Sequence, residues 1–194
     1  HEKYWDLRTY SQRNIDDENN YSGPLVPPGK YSVHIEKFED DKLEKLTESY
    51  SFDIIQIGSK SSQEDREKLY DFQLNFDELV TLVNELVDEI DDAIEEVDGE
   101  INKSINTSPE SNLESLNKKR GDIMDLKMIL TGTRSLNYAD VFSGSPPSVQ
   151  RRLGNMGWEL YNTTSKPTKT HEMTYKISKQ KYDEVLKNFR DIMD

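Results

Sequence analysis

The sequence predicts an α+β protein: a short antiparallel β module over residues 1–60, followed by an up-and-down bundle of about four α-helices over residues 61–194. Three observations carry this. Apolar and polar residues alternate in the first third of the chain, the apolar period changes to about 3.5 from residue 61, and Ser-Pro signals recur where helices should start. The 194 residues are only 33% apolar and 32% charged, with a mean hydropathy of −0.89. It is therefore the regular spacing of the apolar residues, not their abundance, that argues for a folded core.

In the β part, Tyr4 to Tyr10 is aromatic-rich and alternates as a half-buried strand does. The polar stretch Ser11 to Asn20 breaks it, and Gly23-Pro24-Leu25-Val26-Pro27-Pro28-Gly29 makes a structured loop, because prolines remove backbone donors and Gly29 permits a turn. Tyr31, Val33 and Ile35 then alternate with polar neighbours. Tyr50, Phe52 and Ile54 do the same after an acidic insertion around Asp40 to Glu48. Three strands with one apolar face scarcely close a sandwich, so the sheet needs partners that its helices or another chain must provide.

In the helical part, Ser61 and Ser62 precede Glu64 and Asp65 at capping-box spacing. Leu69, Phe72, Phe76, Leu79, Val83, Leu86, Ile90, Ala93 and Val97 then step by three and four residues, so one stripe faces a partner for about eight turns. This helix should end near Gly99 to Asn106. Ser108-Pro109 opens a second helix with a stripe of Leu113, Leu116, Ile123, Leu126 and Leu130, ended by Gly132. Ser145-Pro146 repeats the signal before Val149, Leu153, Met156 and Leu160. A fourth helix from about Thr168 carries Tyr175, Tyr182, Leu186, Phe189 and Met193. Each stripe can be covered only by a neighbour, and short connections favour an up-and-down bundle.

The net charge of −13 is concentrated in one place: Glu64 to Ile101 hold 15 acidic and 2 basic side chains, while the rest of the chain is nearly balanced. No basic face suits nucleic acid. The densest carboxylates, including Asp88, Asp91, Asp92, Glu95 and Glu96, form a solvated face, a partner contact, or a surface packed on the more basic helices around 118–134 and 176–190. They lie on a continuous helix that projects them around three sides, unlike a Ca²⁺ loop.

With no cysteine, thiolate chemistry, disulfides and zinc fingers are excluded. His1, His34 and His171 follow no metal-ligand spacing, and no G-x-S-x-G elbow presents a serine. The sequence therefore assigns no catalytic residue, no metal ligand and no cofactor. Trp5 is expected to anchor the strand core and Trp158 to pack between bundle and sheet; exposed, either could contact a partner or stack on a sugar. No stretch approaches the ~18 apolar residues of a membrane span.

Trp5-Asp6-Leu7-Arg8, then Gly23-Pro24-Leu25-Val26-Pro27-Pro28-Gly29-Lys30-Tyr31-Ser32-Val33, resembles the C-terminal region of bacterial sortilin-like, BNR-repeat "glycosyl hydrolase" β-propeller proteins. Their immunoglobulin-like module shows a W-D-L-R strand, a G-P-x-V-x-P-G loop and a Y-x-V strand in that order. Pro146-Pro147-Ser148-Val149 and Ser165-Lys166-Pro167-Thr168 match the helical tail more loosely, and Ile57-Gly58-Ser59 departs from the family's D-P-R. The resemblance implies a partial immunoglobulin-like module and an extracytoplasmic, non-catalytic interaction or scaffold region on the tail side of a propeller. Protein partners or the propeller itself would be contacted. The alternative is an accessory, carbohydrate-binding domain of a hydrolase whose active site lies in the propeller. A first residue that is His and begins a strand-like segment adds the expectation that these residues belong to a longer polypeptide.

Overall fold

The computed structural model describes residues 5–9, 23–39, 41–58, 60–107, 111–132 and 146–194. Among them are strands β1 (Gly29–Val33), β2 (Glu36–Glu39), β3 (Lys42–Lys45) and β4 (Tyr50–Ile54), and helices α1 (Gln63–Thr107), α2 (Ser111–Thr131), α3 (Val149–Tyr161) and α4 (Lys169–Met193). The protein is α+β, with four helices and two antiparallel sheets of two strands each.

Helix α1 runs for 45 residues, which is about 68 Å at 1.5 Å per residue. Its first turn is fixed by Ser62, whose Oγ accepts the Asp65 N–H at 3.1 Å, and Glu64 and Asp65 place negative charge where the helix dipole is positive. The three-four stripe is the core: Leu69, Phe76, Leu79, Val83, Leu86, Ile90, Ala93 and Val97 are buried, and Phe72 is half-buried against Tyr175 with ring centroids 5.6 Å apart.

The direction of each covering helix follows from its contacts with α1. Arg120 of α2 meets Asp98 and Lys127 meets Asp91, so α2 is antiparallel to α1. Gln150 of α3 meets Asn84, while Gln73 donates to the Leu160 carbonyl at 2.8 Å, so α3 is antiparallel to α1 as well. Tyr175 and Arg190 of α4 meet Phe72 and Glu89, which makes α4 parallel to α1. The order is up, down, down, up. This corrects the expected alternating bundle: α3 begins at the level of α1 where α2 stops, and the two follow one another along it in the same direction. The reason is length. Helix α2 has 21 residues, about 32 Å, so it covers only the C-terminal half of α1 and leaves the N-terminal half for α3.

Helix starts differ slightly from the sequence expectation. The cap of α3 is Ser148, whose Oγ accepts the Arg151 N–H at 3.2 Å. Ser145 and the Ser108-Pro109 cap lie outside the described residues. Thr168 caps α4 in a box with His171, and the buried His171 ring is 3.0 Å from a Glu159 carboxylate oxygen, tying α4 to α3.

The β part is one long hairpin broken into two ladders. β1 pairs with β4 so that Tyr31 opposes Phe52 and Val33 opposes Tyr50, and β2 pairs with β3 so that Phe38 opposes Leu43. Between the ladders the return strand carries two more residues than the outgoing one, a bulge bridged by the Leu46 N–H to Ile35 carbonyl bond at 2.8 Å. The acidic insertion is thus the hairpin tip, with Asp41 at φ 57° in its turn, a conformation that Asp tolerates better than most residues. The expected first strand is reduced, across residues 5–9, to an isolated bridge between Arg8 and Leu25; Tyr4 and Tyr10 are outside the described residues.

Two predictions concern the bundle. A Cβ at Gly157 would lie 2.8 Å from Cζ of Phe76, whose ring is fully buried, whereas a Cβ at Gly121 meets nothing within 4 Å. Gly121→Ala should therefore stabilise by about 0.5–1 kcal/mol through helix propensity, while Gly157→Ala should destabilise by about 1–3 kcal/mol through overpacking; urea unfolding of both variants checks the opposite signs. Burial, reinforced by Asp183, Glu85 and Glu89 against the opposing Lys179, raises the Tyr182 phenol above its usual value. A phenol raised in the folded state contributes stability that is complete below the unfolded pKa and is lost as pH rises through the folded one. Tm should accordingly fall above pH ~10, and Tyr182→Phe should flatten that fall.

Candidate interaction surfaces

The residues of the W-D-L-R and G-P segments form one local unit. The Thr9 N–H donates to the Pro24 carbonyl and the Val26 N–H to the Leu7 carbonyl, each at 2.9 Å, and Arg8 Nη1 donates to the Gly23 carbonyl at 3.1 Å. Gly23 is obligatory here, because a Cβ would sit 2.1 Å from the Thr9 carbonyl oxygen. The Trp5 indole N–H donates to the Arg8 carbonyl at 2.7 Å. Its ring packs edge-on against Tyr31 and Phe52 with centroids 6.1 and 6.3 Å away. Tyr31 in turn donates to the Pro27 carbonyl at 2.7 Å, and burial, with a smaller contribution from Tyr70 of α1, pushes its phenol up.

This aromatic base is where the hairpin's packing ends. Val33, Ile35, Phe38, Leu43, Leu46 and Tyr50 are between 54% and 71% exposed. Trp5 itself is 47% exposed, so it braces the base of the hairpin and is not the expected core anchor: among the described residues no second layer covers its outer side. Among the described residues no strand backbone runs close alongside a helix. Lys30 opposes Asp53 in the first ladder, and in the second Lys37 opposes Glu44 and Glu39 opposes Lys42, with Lys37 and Glu39 paired at 2.6 Å.

The acidic helix divides by face. Asp91 pairs with Lys127 of α2, Asp98 accepts from Arg120 at 2.5 and 3.2 Å, and Glu89 pairs with Arg190 of α4 at 2.7 Å. The Arg120 hydrogen bond holds the Asp98 carboxyl below its usual value. Asp88, Asp92, Glu95 and Glu96 are exposed. Of the five carboxylates singled out in the sequence, four thus face solvent and Asp91 is part of the α1–α2 seam. Among the described residues no three His, Cys, Asp or Glu side chains cluster as metal ligands would, and no helix is long and apolar enough to cross a membrane.

Trp158 does not pack between bundle and sheet. It is 74% exposed, because it lies two positions after Met156 on the outer side of α3. With Phe76, Val80, Leu153 and Gly157 it borders an apolar groove of about 310 Å³ on the α1–α3 seam.

Two features had weaker sequence signals. The β2–β3 tip could have been read from Phe38 and Leu43 flanking Glu39-Asp40-Asp41-Lys42, a turn with two aspartates. The convergence of Arg8 with Arg66 on one cavity could not, since the two are far apart in sequence and the chain path alone joins them.

No family model matches the chain, and comparison with curated proteins and with solved structures gives no match.

Proposed function

We propose that this chain is a non-catalytic, extracytoplasmic interaction or scaffold region at the tail of a sortilin-like β-propeller protein, and that its hairpin completes a sheet with strands of a protein partner or of the propeller. The single observation that carries the reading is the exposure of apolar side chains along both ladders of the hairpin, Val33 and Tyr50 in one and Phe38 and Leu43 in the other. A two-stranded ribbon is marginal in water, and exposed apolar side chains along it are stabilised when a further strand or layer covers them. The occupant is a β-rich surface, because among the described residues no further strand pairs with either outer edge of the hairpin. The charged tip residues Glu36, Lys37, Glu39, Lys42, Glu44 and Lys45 oppose indiscriminate edge pairing. The motif order at 5–33 supports the family part of the reading.

A second reading is favoured by Trp158. An indole this exposed beside an apolar groove suits stacking on a sugar, as an accessory carbohydrate-binding domain would require.

Two experiments separate these. In amide hydrogen exchange, residues 31–33 and 50–52 should exchange fast in the isolated chain and be at least tenfold slower in the protein from its native source; equal rates in both would sink the docking reading. Phe38→Asp with Tyr50→Asp should remove the slowing while helical circular dichroism and the Tm of the bundle stay unchanged. For the sugar reading, a Trp5→Phe background isolates the Trp158 fluorescence, which should shift saturably with a soluble polysaccharide and lose the response on Trp158→Ala; no shift would leave scaffold docking alone.

A further inference from the structure

We infer that the cavity between the coil 24–27, the start of α1 and the α3–α4 turn is a binding site for a small acid with a compact apolar body, its carboxylate or phosphoryl head held by Arg8 and Arg66. The cavity has a volume of about 300 Å³, at the lower end of ligand-sized sites. Its two guanidinium-bearing residues come from separate elements. In a protein with 38 acidic residues, no carboxylate lines it. The neighbouring carboxylates are already engaged: Asp77 accepts from Tyr161 at 2.6 Å, Asp65 faces Lys166 at 3.9 Å, and Asp6 accepts the Arg8 backbone N–H at 3.0 Å.

Arg66 is the decisive residue. Its Nε is buried and has no hydrogen-bond partner, the one such guanidinium nitrogen among the described residues. A buried donor without a partner costs about 1–3 kcal/mol and more when charged, and a planar oxyanion that accepts from Nε relieves that cost with bidentate geometry. A second donor is at hand in Thr163, whose Oγ accepts the Ser165 N–H at 3.1 Å and so keeps its own proton to donate. The C-terminus of α3 would oppose an anion, but two of its carbonyls are covered: Gln73 donates to Leu160 at 2.8 Å and Asn162 donates to Trp158 at 2.7 Å. Val26 and Leu69 supply an apolar wall, which suits a short hydrocarbon body beside the anionic head.

The test is calorimetric and NMR titration of the full chain with inorganic phosphate and, separately, with butanoate, at constant ionic strength in chloride. Saturable binding of either supports the site; tighter binding of phosphate assigns a phosphoryl head, and tighter binding of butanoate than of acetate assigns an apolar carboxylic acid. Arg66→Gln and Arg8→Gln should each weaken binding at least tenfold, Arg66→Lys should weaken it by keeping charge without the fork, and Arg152→Gln should leave it unchanged. Helicity by circular dichroism verifies that the variants fold. The proposal is overturned by no saturable response to either probe, by binding that Arg66→Gln does not alter, or by a large loss of ligand-free stability in Arg66→Gln, which would give the guanidinium an internal partner instead.

Discussion

The apolar stripe of α1 is the constraint on which the rest of the protein depends. A helix of 45 residues with one buried face from Leu69 to Val97 cannot be covered by any other single helix of this chain, since α4 has 25 residues and α2 has 21. The chain solves this by laying α2 and α3 one after the other along α1, with α4 running the other way beside both. The break between α2 and α3 comes where Gly132, at φ 84°, closes the first helix and Ser148 opens the second. It is these two signals, and not a change in the stripe, that decide the topology.

Charge follows the same geometry. The net charge of α1 is strongly negative, and its seam positions are met by cations of the covering helices, Lys127 and Arg120 from α2 and Arg190 from α4. These pairs are partly exposed and contribute little stability individually. Their consequence is orientation: with Asp98 opposite Arg120 and Asp91 opposite Lys127, a shift of α2 by one turn would move Arg120 opposite Ile94 or Asn102 and break its pair, so the pairs favour the observed register. The carboxylates that remain, Asp88, Asp92, Glu95 and Glu96, then form an outer face that repels anions and acidic surfaces. Arg8 and Arg66 lie toward the start of α1, away from that face, and this separation lets a cationic cavity exist in an acidic protein.

Much of this was legible because helix burial repeats on a strict period. Every residue of the α1 stripe from Leu69 to Val97 is buried or half-buried, and the α3 stripe Val149, Leu153, Met156 and Leu160 is wholly so. Direction was not legible: an amphipathic stripe has no polarity, so α3 could be read as returning along α1 in either sense, and only its pairing with Asn84 and Gln73 decides. Trp158 was misplaced for a related reason. Large aromatics are usually buried, and only the phase of α3, with Met156 and Leu160 inward, puts position 158 outside. In the β part the alternation put Tyr31 and Phe52 on the apolar sides of their strands but did not show that so few residues would cover them. A period of two states which side chains share a face and says nothing of what lies above it.

The contrast between the two parts is therefore energetic before it is functional. The helices share one continuous core, whereas the hairpin is held by the Trp5–Tyr31–Phe52 cluster at its base and by backbone pairing beyond it. Local opening is governed by buried apolar contact, so the tip from Phe38 to Leu43 should open without disturbing α1. A segment of that kind gains most when something covers it, because its conformational entropy is the largest still to be lost and its apolar surface the largest still to be removed from water. The bundle, by comparison, has little left to gain. The two parts meet around the cavity, where Arg8, Val26 and the coil lie on one side and Arg66 and Leu69 on the other. Whatever occupies that cavity bears on both the helix start and the base of the hairpin, so an acid seated between Arg8 and Arg66 would stiffen the base on which the open hairpin stands.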